Sequence, residues 1–180
     1  MRILVTAASR HGSTVEVAEQ IARILAAAGA GVDVRLPSEV ADVSPYDAVV
    51  LGSAVYYGAW LPDALAFLRR HENALAPIPL WLFSVGALVP DGPAPPASAQ
   101  VDELLRRTHA RGHRAFRGAL EVARLSWTER LMVAVVRAPY GDFRNWTDVR
   151  SWAHDIGAEL GGAGRVASAA TSGLSARLPC

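Results

Sequence analysis

The sequence predicts an α/β domain of the doubly wound kind, a five-stranded parallel sheet with helices on both faces. Short apolar runs of strand length recur along the 180 residues, at 3–7, 32–36, 48–53, 80–85 and 116–122. The first, third and fourth are continuously apolar instead of alternating, which is the pattern of strands buried on both faces. Segments of helical period lie between the runs, and strands that alternate with helices close into a parallel sheet through right-handed crossovers. With 51% hydrophobic residues, the chain is long enough for one well-buried core and too short for two.

Taken in order, the first strand at 3–7 runs into Ser9-Arg10-His11-Gly12-Ser13-Thr14 and then into an amphipathic helix. On that helix Val17, Ala18, Ile21, Ile24, Leu25 and Ala28 share one face, while Glu16, Glu19, Gln20 and Arg23 share the other. Gly29 follows the last periodic residue, where a glycine cap is expected. After the strands at 32–36 and 48–53, a second helix is predicted from Pro62 to about His71, with proline tolerated in its first turn and Ala64, Leu65 and Leu68 facing inward. A strand at 80–85 leads to a helix over about 99–111, a strand at 116–122 and a last helix over about 147–160. Residues 161–180, rich in Gly, Ala and Ser, read as a flexible tail, so the domain is expected to span 1–160.

Composition narrows the function. With 18 basic and 17 acidic residues the formal charge is +1, which gives no bulk attraction to nucleic acid. The single cysteine, Cys180, excludes an intrachain disulfide and fits a reducing compartment. No apolar run reaches the ~18 residues that a membrane span needs, so the chain reads as cytoplasmic. His109 and His113 are spaced for a shared metal on a helix, but Gly112 intervenes and no third ligand is near, so no metal is expected. No G-x-S-x-G elbow surrounds Ser53 or Ser84, so nucleophilic catalysis lacks support.

The segment after the first strand carries the strongest functional signal. The free N–H groups and dipole of a helix start favour an anion there. Ser9, Ser13 and Thr14 add hydroxyls, and Gly12 allows close backbone approach. No G-x-x-x-x-G-K-[ST] or G-x-G-x-x-G motif is present, which argues against an ATP or dinucleotide site. The same residues would also suit an ordinary turn with Ser and Thr as helix caps. In doubly wound sheets, ligands bind beyond the carboxyl ends of the strands where strand order reverses, so the loops near residues 8–14, 52–60 and 84–90 should meet. The second offers Ser53, Ala54, Val55 and Gly58 for close approach, with Tyr56, Tyr57 and Trp60 to cover a flat ring. The third offers Ser84, Val85, Gly86 and Ala87. Trp81 reads as core.

The loop Ser9 to Thr14 and the loop around Tyr57-Gly58 resemble a flavodoxin-type FMN site, and Ser9-Arg10-His11-Gly12-Ser13-Thr14 is more similar still to that of the flavodoxin-like menaquinone-dependent protoporphyrinogen IX dehydrogenases. Trp127-Thr-Glu-Arg130-Leu-Met132 and Asn145-Trp146-Thr147-Asp148 resemble later segments of those enzymes, and the likeness covers about residues 1–160. His11 departs from the acidic residue usual in that family's loop. The resemblance implies a flavodoxin-like fold and an FMN cofactor. It implies that Ser9, Arg10, His11, Gly12, Ser13 and Thr14 hold the phosphate, that Tyr57 lies against the ring and that the backbone at Gly86 and Ala87 faces its pyrimidine edge. It also implies that a peptide at Gly58 free to reorient would favour one-electron reduction.

The activity it implies is passage of electrons from a reduced organic substrate through FMN to a quinone. The substrate contacts would be Arg130, Trp127 and Arg137, within a segment that also holds Arg124, Arg144 and an apolar patch at 131–136. That segment suits tetrapyrrole propionates or peripheral contact with a membrane surface, and equally a short amphipathic helix with solvated arginines. The alternative function is a flavodoxin-like carrier of single electrons between partner proteins. Flavodoxins are typically strongly acidic, whereas this chain is balanced.

Overall fold

The computed structural model describes residues 1–86, 98–120 and 141–173. Its elements are β1 (Arg2–Ala8), α1 (Ser13–Ala27), β2 (Gly31–Arg35), β3 (Ala48–Tyr56), β4 (Ala59–Trp60), α2 (Pro62–Arg70), α3 (Glu72–Leu75), β5 (Leu80–Gly86), α4 (Ala99–Thr108), β6 (Gly112–Arg117), β7 (Ala119–Leu120), β8 (Gly141–Asp142) and α5 (Trp146–Gly173). Five parallel strands lie in the order β2-β1-β3-β5-β6, with β4 folded back antiparallel on the end of β3 and β7 paired separately with β8. Strand order reverses between β1 and β3, the switch point of this architecture.

The three continuously apolar runs are the three interior strands. The edges, β2 and β6, carry Asp33, Arg35, His113 and Arg114, which an interior strand would bury without partners. Alternation along each strand divides the core in two. On one face Ile3, Val5, Val50 and Phe83 pack against α1 and α5 through Val17, Ile21, Leu25, Val149, Trp152 and Ile156. On the other, Leu4, Leu51 and Leu82 pack against Ala64, Phe67 and Leu68 of α2 and Val101 of α4. Trp81 is core, as expected.

Several boundaries differ from expectation. The fifth strand is Gly112–Arg117, starting before the run at 116–122, because an edge strand tolerates His113 and Arg114 on its polar positions. Ala119 and Leu120 instead form the short pair with β8. As expected, no helix joins β2 to β3. Val40, Val43 and Tyr46 of that connection plug the second core directly, while the Arg70 guanidinium donates to Pro37 O at 2.6 Å and Val40 O at 3.2 Å. Helix α4 stops at Thr108 because His109 turns left-handed at φ 51°. The backbone of α5 continues to Gly173, past the boundary expected at residue 160.

Candidate functional site

The sheet register places Ala8, Ser53, Ser84 and Ala115 in one row across β1, β3, β5 and β6, so the segments that follow leave the sheet side by side. In the first of them, Gly12 caps α1 in the left-handed conformation at φ 88° with no side-chain cap. Its amide donates to Ser9 Oγ at 3.0 Å, and its carbonyl accepts the Glu16 amide at 3.0 Å. The amides of Ser13, Thr14 and Val15 precede the first intrahelical bond and lie at the positive end of the helix dipole. Thr14 is fully buried, and its hydroxyl makes no hydrogen bond. An unsatisfied buried hydroxyl costs about 1–3 kcal/mol, and an anion seated on the helix start would relieve it. The turn is therefore not the Ser/Thr-capped kind, since glycine holds the cap position.

The second segment is a two-residue hairpin. Val55 pairs with Trp60 and Tyr56 with Ala59, leaving Tyr57 at φ 52° and Gly58 at φ 77° in the turn. Positive φ at both positions is the type I′ geometry that matches strand twist. Glycine adopts it freely, whereas tyrosine does so at a cost of roughly 1–2 kcal/mol. Tyr57 is also 83% exposed. Tyr57 thus presents a large exposed ring on a strained backbone at the end of β3. Tyr57→Gly is expected to raise the thermal midpoint by a few degrees, from about 1 kcal/mol of relieved strain. The same substitution should weaken binding of a planar ligand, as read by parallel melting and binding titrations.

The base of this hairpin is held on three sides. The Trp60 amide donates to Gln100 Oε1 at 2.8 Å, the Leu61 amide donates to Ser53 Oγ at 2.9 Å, and the Trp60 indole N–H donates to Ser84 Oγ at 2.8 Å. Ser84 Oγ also lies 2.8 Å from His113 Nε2. Ser53 and Ser84 thus spend their hydroxyls inside the protein, and both lie in interior strands paired on either side, so they support the hairpin from within the sheet. Trp60, only 3% exposed, is a buried anchor and not a ring cover.

The segments touch one another. Arg10 lies 5.1 Å and His11 6.3 Å from the Tyr56 ring, which joins the first segment to the hairpin. A Cβ on Gly86 would come within 3.1 Å of Val55 Cβ, so β5 approaches the hairpin strand closely here and a larger residue would push Val55 back. Gly86 O accepts the Gly118 amide at 3.0 Å, and Gly118 O accepts the Phe143 amide at 3.2 Å, carrying the β7–β8 pair onto the same end of the sheet. From there Arg144, its side chain 6% exposed, donates to Asp142 and to Glu16 in the first turn of α1, with its guanidinium carbon 4.6 Å from the Trp146 ring centre. Asp142 and Glu16 hold its charge more firmly than usual. Arg144 is therefore spent on fastening β8 to α1 and is not presented to a substrate.

Ser9, Arg10, His11, Gly12, Ser13 and Thr14 thus sit beside Ala54, Val55, Tyr56, Tyr57 and Gly58, with Val85 and Gly86 next in the row. Ala87, Trp127, Arg130 and Arg137 lie outside the described residues. Gln100, His113 and the Arg144–Glu16 pair were not foreseen. Each joins positions far apart in sequence, and no local pattern marks them.

Burial holds the His113 imidazole below its ordinary value of 6.5 against the opposing charge of Asp102, and it does the same to His71 under the β2–β3 connection. Below about pH 6.5 the unfolded chain takes up protons that the folded chain refuses. Stability should therefore be full above that pH and fall as pH drops toward the folded pKa values. A lower urea midpoint at about pH 5.5 than at about pH 7.5 is expected, with the gap narrowed in His71→Gln.

A reversing parallel sheet with the β1–α1 loop and the β3–β4 hairpin side by side at its switch point defines a flavodoxin-like α/β protein. The chain belongs to the Flavodoxin domain family, whose profile matches residues 4–145. It is similar to the protoporphyrinogen IX dehydrogenase [quinone] of Escherichia coli K12, at 25% identity over 171 residues, covering 87% of this chain and 94% of that one. Among solved structures, a Streptococcus pneumoniae TIGR4 flavodoxin superposes with a TM-score of 0.59 at 16% identity over 88% of this chain and 99% of that one. The rubredoxin:oxygen oxidoreductase of Desulfovibrio gigas gives 0.61 at 13% identity over 89% of this chain and 36% of that one. Among the described residues, no helix is long and apolar enough to cross a membrane.

Proposed function

We propose that this protein is an FMN-dependent oxidoreductase that takes electrons from a reduced organic substrate of the porphyrinogen class and passes them to a quinone. The observation that supports the cofactor is the start of α1, which brings together a left-handed glycine cap, the amides of the first helical turn and the orphaned Thr14 hydroxyl. These residues fit a phosphomonoester. Ser9, Arg10, His11, Gly12, Ser13 and Thr14 would hold the phosphate, and Ala54, Val55, Tyr56, Tyr57, Gly58, Val85, Gly86 and Ala87 would hold and cover the ring.

When bound, FMN supplies acceptance and release of one or two electrons. The chain's own residues do the rest. The α1 dipole would favour the dianion, the Tyr57–Gly58 turn would cover the ring, and Gly86 packs on Val55 beside that turn. The porphyrinogen and quinone specificity is supported by similarity to the E. coli enzyme along nearly its full length. Arg130, Trp127 and Arg137 are the proposed substrate contacts, the guanidinium groups pairing with carboxylates. The proposed workplace is the cytoplasm, in peripheral contact with quinone-bearing membrane.

The second reading is a carrier of single electrons between redox proteins. The 83% exposure of Tyr57 favours it, because an exposed ring cover suits a docking partner. The two readings separate in one experiment. FMN-loaded protein is mixed anaerobically with protoporphyrinogen, followed by a soluble quinone. Bleaching and recovery of the flavin absorbance supports the oxidoreductase. No reduction by the porphyrinogen, together with fast reduction by a flavodoxin reductase, supports the carrier.

A further inference from the structure

The chain His113 Nε2, Ser84 Oγ and Trp60 Nε1, buried at Ser84 and Trp60 and half-buried at His113, links the edge strand β6 to the base of the hairpin that carries Tyr57 and Gly58, each contact being 2.8 Å long. An indole N–H only donates, so Ser84 Oγ must accept from Trp60. The serine proton is then free to go to His113 Nε2 when the imidazole is neutral. A protonated imidazole would also donate to Ser84, leaving the serine with two incoming protons and its own without a partner among the described residues. Both contacts to Ser84 Oγ remain, but a hydroxyl that accepts twice without donating is a poorer acceptor for the indole N–H, and the hairpin anchor loosens.

The surroundings make His113 the group that decides. It lies opposite Leu82 in the β5–β6 register and so faces α4. From α4, Asp102 opposes the effect of burial on it. The other charged groups of that helix are tied elsewhere, Glu103 to Arg106 and Arg107 to Glu72 of α2. Strands β4 and β5 carry no charged residue. On its own strand, Arg114 points to the opposite face and pairs with Asp148 at 3.7 Å.

We propose that His113 is a positioning residue for the ring-covering turn, acting through Ser84 and Trp60, and that its protonation releases the turn. The effect on a bound flavin rests on the FMN reading above, whereas the effect on Trp60 does not.

The test is a pH titration of the Trp60 indole N–H resonance in 15N-labelled full-length protein, assigned among the five tryptophans by Trp60→Phe. In the wild type the resonance should move with a midpoint below 6.5, and in His113→Gln it should stay still. Ser84→Ala should likewise abolish the movement while leaving His113 able to titrate. An indole resonance that does not titrate in the wild type, or that titrates unchanged in His113→Gln, overturns the proposal. FMN titrations add the second readout, with affinity expected to fall about fivefold between roughly pH 7.5 and pH 5 in the wild type and by much less in His113→Gln. Equal pH profiles in the two proteins overturn the link to the turn. A protein that takes up no FMN at any pH overturns the cofactor reading instead, and the indole titration still decides the role of His113.

Discussion

Replacing Gly52 with alanine is expected to lower the thermal midpoint by roughly 6–12 °C, the consequence of about 3 kcal/mol of overpacking. Gly52 lies in the interior strand β3, directly opposite Phe83 of β5. A Cβ at this position would fall 2.0 Å from Phe83 Cζ and 2.4 and 2.5 Å from the two Cε atoms. The ring thus lies across the space the methyl would need. It has nowhere to retreat, being fully buried with Phe116 and Trp152 each 6.1 Å away between ring centres. The two residues should be strongly coupled. Phe83→Leu alone should be destabilising, but combined with Gly52→Ala it should cost far less than the sum of the single changes. Melting curves of the two single variants and the double variant check this, and additive losses would show that the ring and the glycine do not share that space. Because Ser53 follows Gly52 and accepts the Leu61 amide, the variant should also loosen the hairpin and weaken ligand binding.

Thr14→Val is expected to weaken FMN binding by about 10- to 100-fold, the worth of a hydrogen bond to a charged group. The stability of the ligand-free protein should stay the same or rise. Ordinarily a buried threonine hydroxyl bonds to a partner, and its removal costs stability. Here the hydroxyl has none, so valine removes an unsatisfied group while keeping the shape of the side chain. Thr6 is the built-in control. It is equally buried, with an equally orphaned hydroxyl, but it lies in the middle of β1, paired with Leu51 and Arg35 and away from the start of α1. Thr6→Val should match Thr14→Val in stability and leave FMN affinity unchanged. Isothermal titration of FMN into both variants, beside urea unfolding of each, separates the two positions. Equal affinities would mean that the Thr14 hydroxyl does not reach the phosphate.

The parts of this fold legible in the sequence were those written in local pattern. Unbroken apolar runs marked β1, β3 and β5 as interior strands, the 3.6-residue period marked α1, and a proline at its first position marked α2. The edge strand β6 was misplaced because the apolar signal at 116–122 is stronger than that of its real residues, among which His113 and Arg114 are tolerated only by an edge. The sequence placed no helix between β2 and β3, but the burial of Val40, Val43 and Tyr46 in that connection was hidden because it comes from long-range packing and not from any period of their own. The site divides in the same way. The Ser9 to Thr14 loop and Tyr57-Gly58 could be read from residue type and position. Trp60 could not be told from a ring cover, because its burial depends on Ser84, 24 residues away. Arg144, one of four arginines around an apolar patch, could not be recognised as a clamp before its contact with Glu16, 128 residues away, was in view.

The FMN-dependent function requires a phosphate seated at the start of α1. Parallel titrations of the purified protein with FMN and with riboflavin, which share the ring and differ in the phosphate, test that seat without reference to any substrate. FMN should bind at least about 100-fold more tightly than riboflavin, since the dianion would lose three amides, the helix dipole and the Thr14 hydroxyl together. Equal affinities for the two, or no binding of FMN, would contradict the site described here.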